Sequence, residues 1–244
     1  ANINGDYRGT GYARKGNHVD YTKTFEPTIT FEQEIGKHTF DLLGGYSYQY
    51  STTEEYSMSN SGFNTDSFLD WNMGWGNAII DTNLPRPGLS SFKEDNTLIA
   101  FFSRINYSYL DRYFLTASIR REGSSKFGAN NKWGNFPAIS GAWVISDETF
   151  MDEQNTFSNL KLRVGYGITG NQGIPNYQSL VTLGTGGKYP IFLDNATDPT
   201  YYQTLGAAKN PNPDLRWERK KELNFGLDFG FLSNRITGAL DVYR

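Results

Sequence analysis

Between Leu223 and Phe231 the chain reads LNFGLDFGF, and every second residue is large and apolar: Leu223, Phe225, Leu227, Phe229 and Phe231. The residues between them are polar or small: Asn224, Gly226, Asp228 and Gly230. Successive side chains of an extended strand point to opposite faces. A period of two therefore puts all five apolar groups on one face and a carboxylate on the other. Two settings suit such a strand. One is a soluble sheet with a core on one side and water on the other. The other is the wall of a membrane barrel, with lipid outside and a wet lumen inside.

The same period recurs along the chain, and each run reads as a strand. Segment 28–35 aligns Ile29, Phe31 and Ile35, and 39–50 aligns Phe40, Leu42, Tyr46 and Tyr48. Segment 98–109 groups Ile99, Phe101, Ile105, Tyr107 and Tyr109, and 113–122 groups Tyr113, Leu115, Ala117 and Ile119. Ile139, Trp143 and Ile145 repeat the spacing in 137–145, as do Leu160, Leu162, Val164, Tyr166 and Ile168 in 160–169. With 217–231 and 236–244 the count is eight or nine strands, and residues 1–25 read as an outer loop leading into the first. Aromatic residues make up 16% of the chain and glycines number 26, a composition that favours strands and turns over helices. No apolar run is long enough for a transmembrane helix. Alternating strands average out in hydropathy, so a barrel stays open.

The connections sort by length. Short ones at 36–38, 110–112, 146–159 and 232–235 alternate with long ones at 51–97, 121–136 and 170–216. Segment 146–159 is the longest of the short set and reads as holding a helical turn. In an antiparallel meander alternate connections share an end, so one end has tight turns and the other carries long loops. Outer-membrane barrels have this asymmetry, and a Greek-key sandwich has no reason for it. The long loops are polar and rich in Gly, Asn, Ser and Pro, beyond what a plain connector needs.

Several chemistries are excluded. A net charge of −3 offers no basic field for nucleic acid. With no cysteine and only His18 and His38, both read as surface groups near strand ends, zinc lacks ligands. The stretch DNATDP, with Asp194 and Asp198, lacks the glycine and terminal glutamate of a calcium loop and reads as a turn; its Asn195-Ala196-Thr197 sequon is a formal match only. GTGYARKG (9–16) lacks the Gly-Lys-Ser/Thr of a phosphate loop, and Ser140-Gly141 lacks the first glycine of a nucleophile elbow. Glu54-Glu55 reads as solvated loop sequence. No nucleophile–base pair, metal set or cofactor fingerprint remains, so the expectation is a non-enzyme with no cofactor and no metal.

The candidate functional residues fall into two groups. Arg104, Arg120, Lys161, Arg163 and Asp228 occupy the polar face of alternating strands, which is the lumen side if the sheet is a barrel. Trp71, Trp75, Trp133 and Tyr177 lie in long-loop sequence, where flat apolar faces suit sugar rings or peptide side chains; loop packing is the competing role. Tyr48, Tyr107, Tyr109, Tyr113 and Tyr166 fit an interfacial girdle.

RINYSYLDRYFLTASIRREGSSKFGANNKWGNFPAISGAWVISDETFM (104–151), LKLRVGYGITGNQGIPNY (160–177) and NPDLRWERKKELNFGLDFGFLSNRITGALDVYR (212–244) resemble the barrel of SusC/RagA-type TonB-dependent outer-membrane transporters. FDLLGGYSYQYSTTEEYSMSNSGFNTDSF (40–68) is similar more loosely. The resemblance covers most of the chain, with several motifs in one order. It implies an all-β, antiparallel transmembrane β-barrel meander, here a partial wall of a barrel of roughly 22 strands with a plugged lumen. It further implies the outer membrane of a Gram-negative bacterium as location and membrane lipid around the wall. Import of oligosaccharides or peptides, energised through TonB and shared with a SusD-like surface lipoprotein, is the implied task. No plug domain, TonB box or closing strand is seen in 1–244, so the expectation is one segment of a longer barrel domain that does not transport alone. Two other readings stay open: a soluble β-sandwich carbohydrate-binding module, and a passive porin or adhesin barrel. The first falls if Phe225, Phe229, Tyr166 and Ile168 point away from the barrel axis.

Overall fold

The computed structural model describes residues 11–65, 67, 71–154, 156–191 and 200–244. These residues form eleven strands: β1 Gly11–Phe25, β2 Thr28–Ile35, β3 His38–Phe63, β4 Gly88–Tyr109, β5 Tyr113–Ser124, β6 Trp133–Val144, β7 Phe157–Asn171, β8 Thr182–Ile191, β9 Thr200–Lys209, β10 Glu218–Phe231 and β11 Ile236–Tyr243. Nine form one sheet in the order β1-β3-β4-β5-β6-β7-β10-β11, with β2 also on β3; β8 and β9 form a separate hairpin. Among the described residues the only helical elements are short 3₁₀ turns, two of them, Ile145–Asp147 and Thr149–Met151, in the β6–β7 connection where a helical turn was expected.

The period-two reading holds where it was strongest. Strand β2 has the bounds inferred from sequence, β4, β5 and β7 contain the inferred runs, and β10 and β11 each stop one residue short of the inferred 217–231 and 236–244. The ends differ. Residues 11–25 are strand β1 rather than loop, so His18 is mid-strand and GYARKG is no phosphate loop. Strand β3 runs on to Phe63, which places Glu54 and Glu55 on a strand. The expected loop 51–97 shrinks to 64–87, and 121–136 to 125–132. The hairpin β8–β9 lies inside the expected loop 170–216. The DNATDP stretch lies outside the described residues.

Strands β1 and β2 follow one path along β3, broken at Glu26-Pro27. Proline has no N–H to give the ladder. Its carbonyl still accepts from the Tyr46 N–H at 3.1 Å, which keeps the register. The tight turns use left-handed backbone: Gly36 at φ 63°, Leu110 and Asp111 at 57° and 55°, and Leu232, Ser233 and Asn234 at 53°, 57° and 61°. Positive φ at successive positions is the geometry of turns whose twist matches paired strands.

The chain divides into two compact units, one of residues 1–23 and 50–96, the other of 24–49 and 97–244. In the first, the Asn60 side chain donates to the carbonyls of Met73 and Gly76 at 2.8 and 3.1 Å, while its own oxygen accepts from the Ser61 N–H. Phe63 and Ala78 are buried there. A polar ladder crosses β1 and β3: the Thr53 hydroxyl donates to Asp20 at 2.6 Å, and His18 Nε2 lies 2.9 Å from Asp20. His18 Nδ1 lies 3.6 Å from Glu55.

A strand crosses a membrane in about 9–11 residues, so a count from the Gly36 turn carries β3 across before Thr53 and Glu55. His18 therefore titrates in water. Its hydrogen bond to Asp20, then the Asp20 charge, raises its pKa above the ordinary value of 6.5. Asp20 is lowered, first by Thr53 and then by His18. A raised histidine contributes stability fully below its unfolded pKa and loses it as pH rises through the folded one. The lowered aspartate contributes above its unfolded pKa and loses it as pH falls through the folded one. The ladder should be tightest between Asp20's lowered midpoint and His18's raised one. Proton NMR of the His18 ring should give a midpoint above 6.5 that falls toward 6.5 in Asp20→Asn; an unchanged midpoint contradicts this.

In the second unit, a small core forms at the long-loop end. Phe127, Phe136 and Trp217 are buried together, with Leu98, Ile168, Ile174 and Leu215 against them. The Phe127 and Trp217 rings are 4.7 Å apart and tilted; Phe136 meets Trp217 edge-on at 5.2 Å. Hydrogen bonds seal the junction: Trp217 Nε1 donates to the Lys132 carbonyl at 2.9 Å, the Gly128 N–H to the Leu215 carbonyl at 2.9 Å, and Lys126 Nζ to the Ile174 carbonyl at 3.0 Å. Connection 125–132 is thus latched onto both limbs of connection 172–217. Gly128 is required here because a Cβ would sit 1.8 Å from the Pro213 carbonyl oxygen.

Candidate functional site

Directly opposed residues of an antiparallel pair share a face, so the register decides what each side of the wall carries. One row runs Tyr107, Leu115, Gly141, Val164, Phe225, Val242 across β4, β5, β6, β7, β10 and β11. The next runs Tyr109, Tyr113, Trp143, Leu162, Leu227, Leu240. Interleaved on the other face are Ser108, Phe114, Ala142, Arg163, Gly226, Asp241 and Asn106, Thr116, Ser140, Gly165, Asn224, Tyr243. One face is continuously apolar and the other polar.

The apolar face is uncovered. Ile119 is 48% exposed, Ile139 51%, Phe225 49% and Tyr166 41%. Ile168 shares this face and leans partly onto the Phe127 cluster. A soluble sandwich buries such a face under a second sheet, and among the described residues none packs on it. That removes the sandwich reading, and an exposed apolar surface of this extent calls for lipid. An aromatic row edges it at the tight-turn end. His38 stacks on Tyr109 at 4.7 Å, Tyr109 on Tyr113 at 6.2 Å, and Tyr113 on Trp143 at 6.4 Å. Glu148, in the β6–β7 connection, accepts from the Tyr113 hydroxyl and from Trp143 Nε1, tying the row to the turn. A second row, Tyr46, Phe101 and Trp133, lies toward the loops, with centroids 5.2 and 6.3 Å apart. Tyr109 and Phe101 are eight residues apart on β4, about 26 Å along the strand and roughly 20 Å in height after tilt, close to the apolar band of outer-membrane barrels.

All five charged residues singled out from sequence fall on the polar face. Arg163 is the most tightly held. Its Nε and Nη2 donate to the two oxygens of Asp228 at 2.9 and 2.7 Å, and Nη1 lies 3.2 Å from Asp241. The guanidinium lies over Gly226, where a Cβ would be 2.6 Å from Cζ. This glycine makes room for a three-strand ion cluster. Arg120 pairs with Glu122 at 2.9 Å and covers the Phe102 ring at 5.4 Å; Lys161 lies 5.1 Å over Phe114. Asn106 donates to Asp41 at 2.9 Å and accepts from the Thr116 hydroxyl at 2.9 Å, a chain over three strands that sequence reasoning passed over. Arg104 makes no hydrogen bond or ion pair with any described residue. Among the described residues the face is thus a polar wall in which Arg163 and Arg120 are ion-paired, while Arg104 and Lys161 have no carboxylate partner.

The four loop aromatics separate. Trp133 opens β6 on the apolar face, 45% exposed, with the Arg121 guanidinium 5.4 Å over its ring. It belongs to the outer aromatic row and not to a loop; its even spacing from Ile139 and Trp143 was the overlooked signal. Trp71 and Trp75 lie in connection 64–87, with Lys15 Nζ 4.7 Å over Trp71 and Trp75 53% exposed. Tyr177 takes a left-handed φ of 58° in connection 172–217.

Comparison with known proteins converges on one family. The family described as "TonB dependent receptor-like, beta-barrel" matches residues 1–244. The chain is 34% identical over 232 residues to the TonB-dependent receptor SusC of Bacteroides thetaiotaomicron, covering 91% of this chain and 21% of that protein. It is 31% identical over 238 residues to the TonB-dependent receptor P3 of Formosa agariphila, covering 98% and 21%. Among solved structures, the RagAB peptide importer in its "open-open" state superposes with a TM-score of 0.80 at 28% identity, over 96% of this chain and 24% of that one. The chain spans about a fifth of the length of the curated relatives it matches.

Proposed function

The chain belongs to the TonB-dependent receptor β-barrel family of the outer membrane, and from that premise we propose that it forms one stretch of the wall of a SusC-like nutrient importer of roughly 22 strands. The observation that carries this reading is the two-faced register: a lipid-ready band on one side of six consecutive strands and an ion-laced surface on the other. In that setting Arg104, Arg120, Lys161, Arg163 and Asp228 line the lumen. Trp71, Trp75 and Tyr177 lie in outer connections where cargo arrives.

The cargo is an oligosaccharide or a peptide, with the likeness to a peptide importer favouring peptides. A SusD-like surface lipoprotein works with the barrel at its outer end. The hairpin β8–β9 supports this, since Leu183, Leu205 and Tyr189 are 66%, 68% and 62% exposed on a two-stranded element that is marginal alone. Energy comes through TonB.

Uptake tests the proposal. A strain lacking the full-length receptor should lose import of labelled oligopeptide or oligosaccharide, and the complemented strain should lose it again when TonB is deleted. In Arg104→Glu, uptake of anionic peptides should fall several-fold relative to cationic ones, because lumen substitutions tune selectivity. Import that persists without TonB identifies a passive pore and refutes active transport.

A further inference from the structure

Cations are absent from most of the apolar face. On the apolar face of β2–β7, β10 and β11 no Asp, Glu, Lys or Arg occurs between the tight turns and the row of Ser103, and Arg244, which follows β11 and pairs its backbone with Leu223, is the one charge lower down among the described residues. Three then appear close together. Arg121 is opposite Phe101 and Asn135. Lys221 is opposite Ile168, and Arg219 is opposite Gly170. The Arg219 guanidinium reaches past β7 to the Asn135 carbonyl at 2.9 Å, toward Arg121. All three are exposed, and none is ion-paired with a carboxylate among the described residues. The nearby acids Glu122 and Glu222 point to the polar face, where they pair with Arg120 and Lys220. This cluster of like charge is left uncompensated at the outer rim of the lipid band.

A groove starts beneath it. A depression of about 540 Å³ is lined by Phe101, Ser103, Ile119, Arg121, Asn135 and Pro137. It adjoins a second of about 500 Å³, which shares Ser103 and Ile119 and continues past Gly44, Ala117 and Leu42. Small side chains at Gly44, Ser103 and Ala117 make its floor, and Ile29, Phe31 and Ile105 make its walls. An open apolar channel leading up to unpaired guanidinium groups has the shape and polarity of an amphiphile: acyl chain below, anionic headgroup above.

We propose that this face holds a specific lipid site, in which Arg121 and Arg219, with Lys221 beside them, bind the phosphate of an outer-leaflet glycolipid whose acyl chain lies along Ser103 and Ala117. The level of the cluster selects the outer leaflet, because the long loops mark the external end. Two guanidinium groups suit a phosphate by charge-assisted, bidentate hydrogen bonds. Trp133, between the band and the cations, supplies the interfacial ring. The inference rests on the barrel reading of the apolar face.

The test uses the full-length receptor, purified in detergent and loaded with either a diphosphorylated diglucosamine glycolipid or its dephosphorylated form. Native mass spectrometry then counts retained lipid. The wild type should prefer the phosphorylated form by about tenfold or more, the size expected of two surface cations. Arg121→Ala/Arg219→Ala should abolish that preference. Ala117→Phe fills the groove and leaves the cations, and should lower retention of the phosphorylated lipid. Equal retention of the two lipids by the wild type shows a non-selective annulus and overturns the proposal, whether or not any variant folds. Displacement by an equal concentration of inorganic phosphate overturns it as well, since the site then takes free phosphate. Lack of any lipid on the wild type would instead strike at the barrel reading, which the uptake assay probes separately.

Discussion

Arginine at position 225 is expected to destabilise the wall by about 2–4 kcal/mol, whereas arginine at the adjacent position 224 should change stability by less than about 0.5 kcal/mol. The two residues are neighbours in sequence and opposites in surroundings. Phe225 lies between Val164 and Val242 on the apolar face, 49% exposed and near mid-height of the band. A guanidinium there must be stripped of water or drag water into the hydrocarbon. Asn224 lies between Gly165 and Tyr243 on the polar face, close to the Arg163 cluster. Denaturant unfolding of the full-length receptor in lipid vesicles, followed by tryptophan fluorescence, measures both. Equal losses for the two substitutions would show that the two faces do not differ in solvent, and the membrane assignment would go with them.

Phe127→Ala should open the latch between connections 125–132 and 172–217. A buried phenylalanine truncated to alanine costs about 3–5 kcal/mol where the site cannot collapse, and Phe127 is 1% exposed, enclosed with Trp217 and Phe136. The loss is local, because the strands below keep their ladders. Proteolysis within the two connections should therefore speed up at least about a hundredfold, with little change in the unfolding midpoint of the wall. Gly128→Ala should act in the same direction without touching the aromatic cluster, since its Cβ collides with main chain at Pro213 and no rotamer relieves it. Unchanged cleavage in both variants would mean that the two connections are held by something other than this junction.

The contrast between these two regions also explains what sequence could show. Within the membrane band, Leu223–Phe231 and Leu160–Ile168 announce themselves because each face meets one solvent along its whole length. The five charges on the polar face could be placed from parity alone. Above the band the rule dissolves. Residues 51–63, STTEEYSMSNSGF, are strand, but both faces are largely polar and no period survives. The hairpin strands TLGTGGKYPI and TYYQTLGAAK are hidden for the same reason. Trp133 was misplaced because loop composition outweighed its spacing to Ile139. The latch was illegible for a different cause: Phe127 and Trp217 are visible as lone aromatics, but their meeting across ninety positions depends on how two connections fold back. The Arg163 cluster lies between these cases, since its register partners are legible only once β10 and β7 are aligned.

The length of β3 has one further consequence. It carries 26 residues where a crossing needs about 9–11, so a single strand answers to two different rules of inheritance. In its lower part, a one-residue insertion turns the strand inside out, exchanging every hydrocarbon-facing group for a water-facing one. In its upper part the same insertion swaps one hydrophilic side for another. Odd-numbered length changes should therefore be lethal to the structure below residue 48 and survivable above it, which makes the upper stretch the place where a receptor of this kind can be remodelled for new cargo without rebuilding its wall.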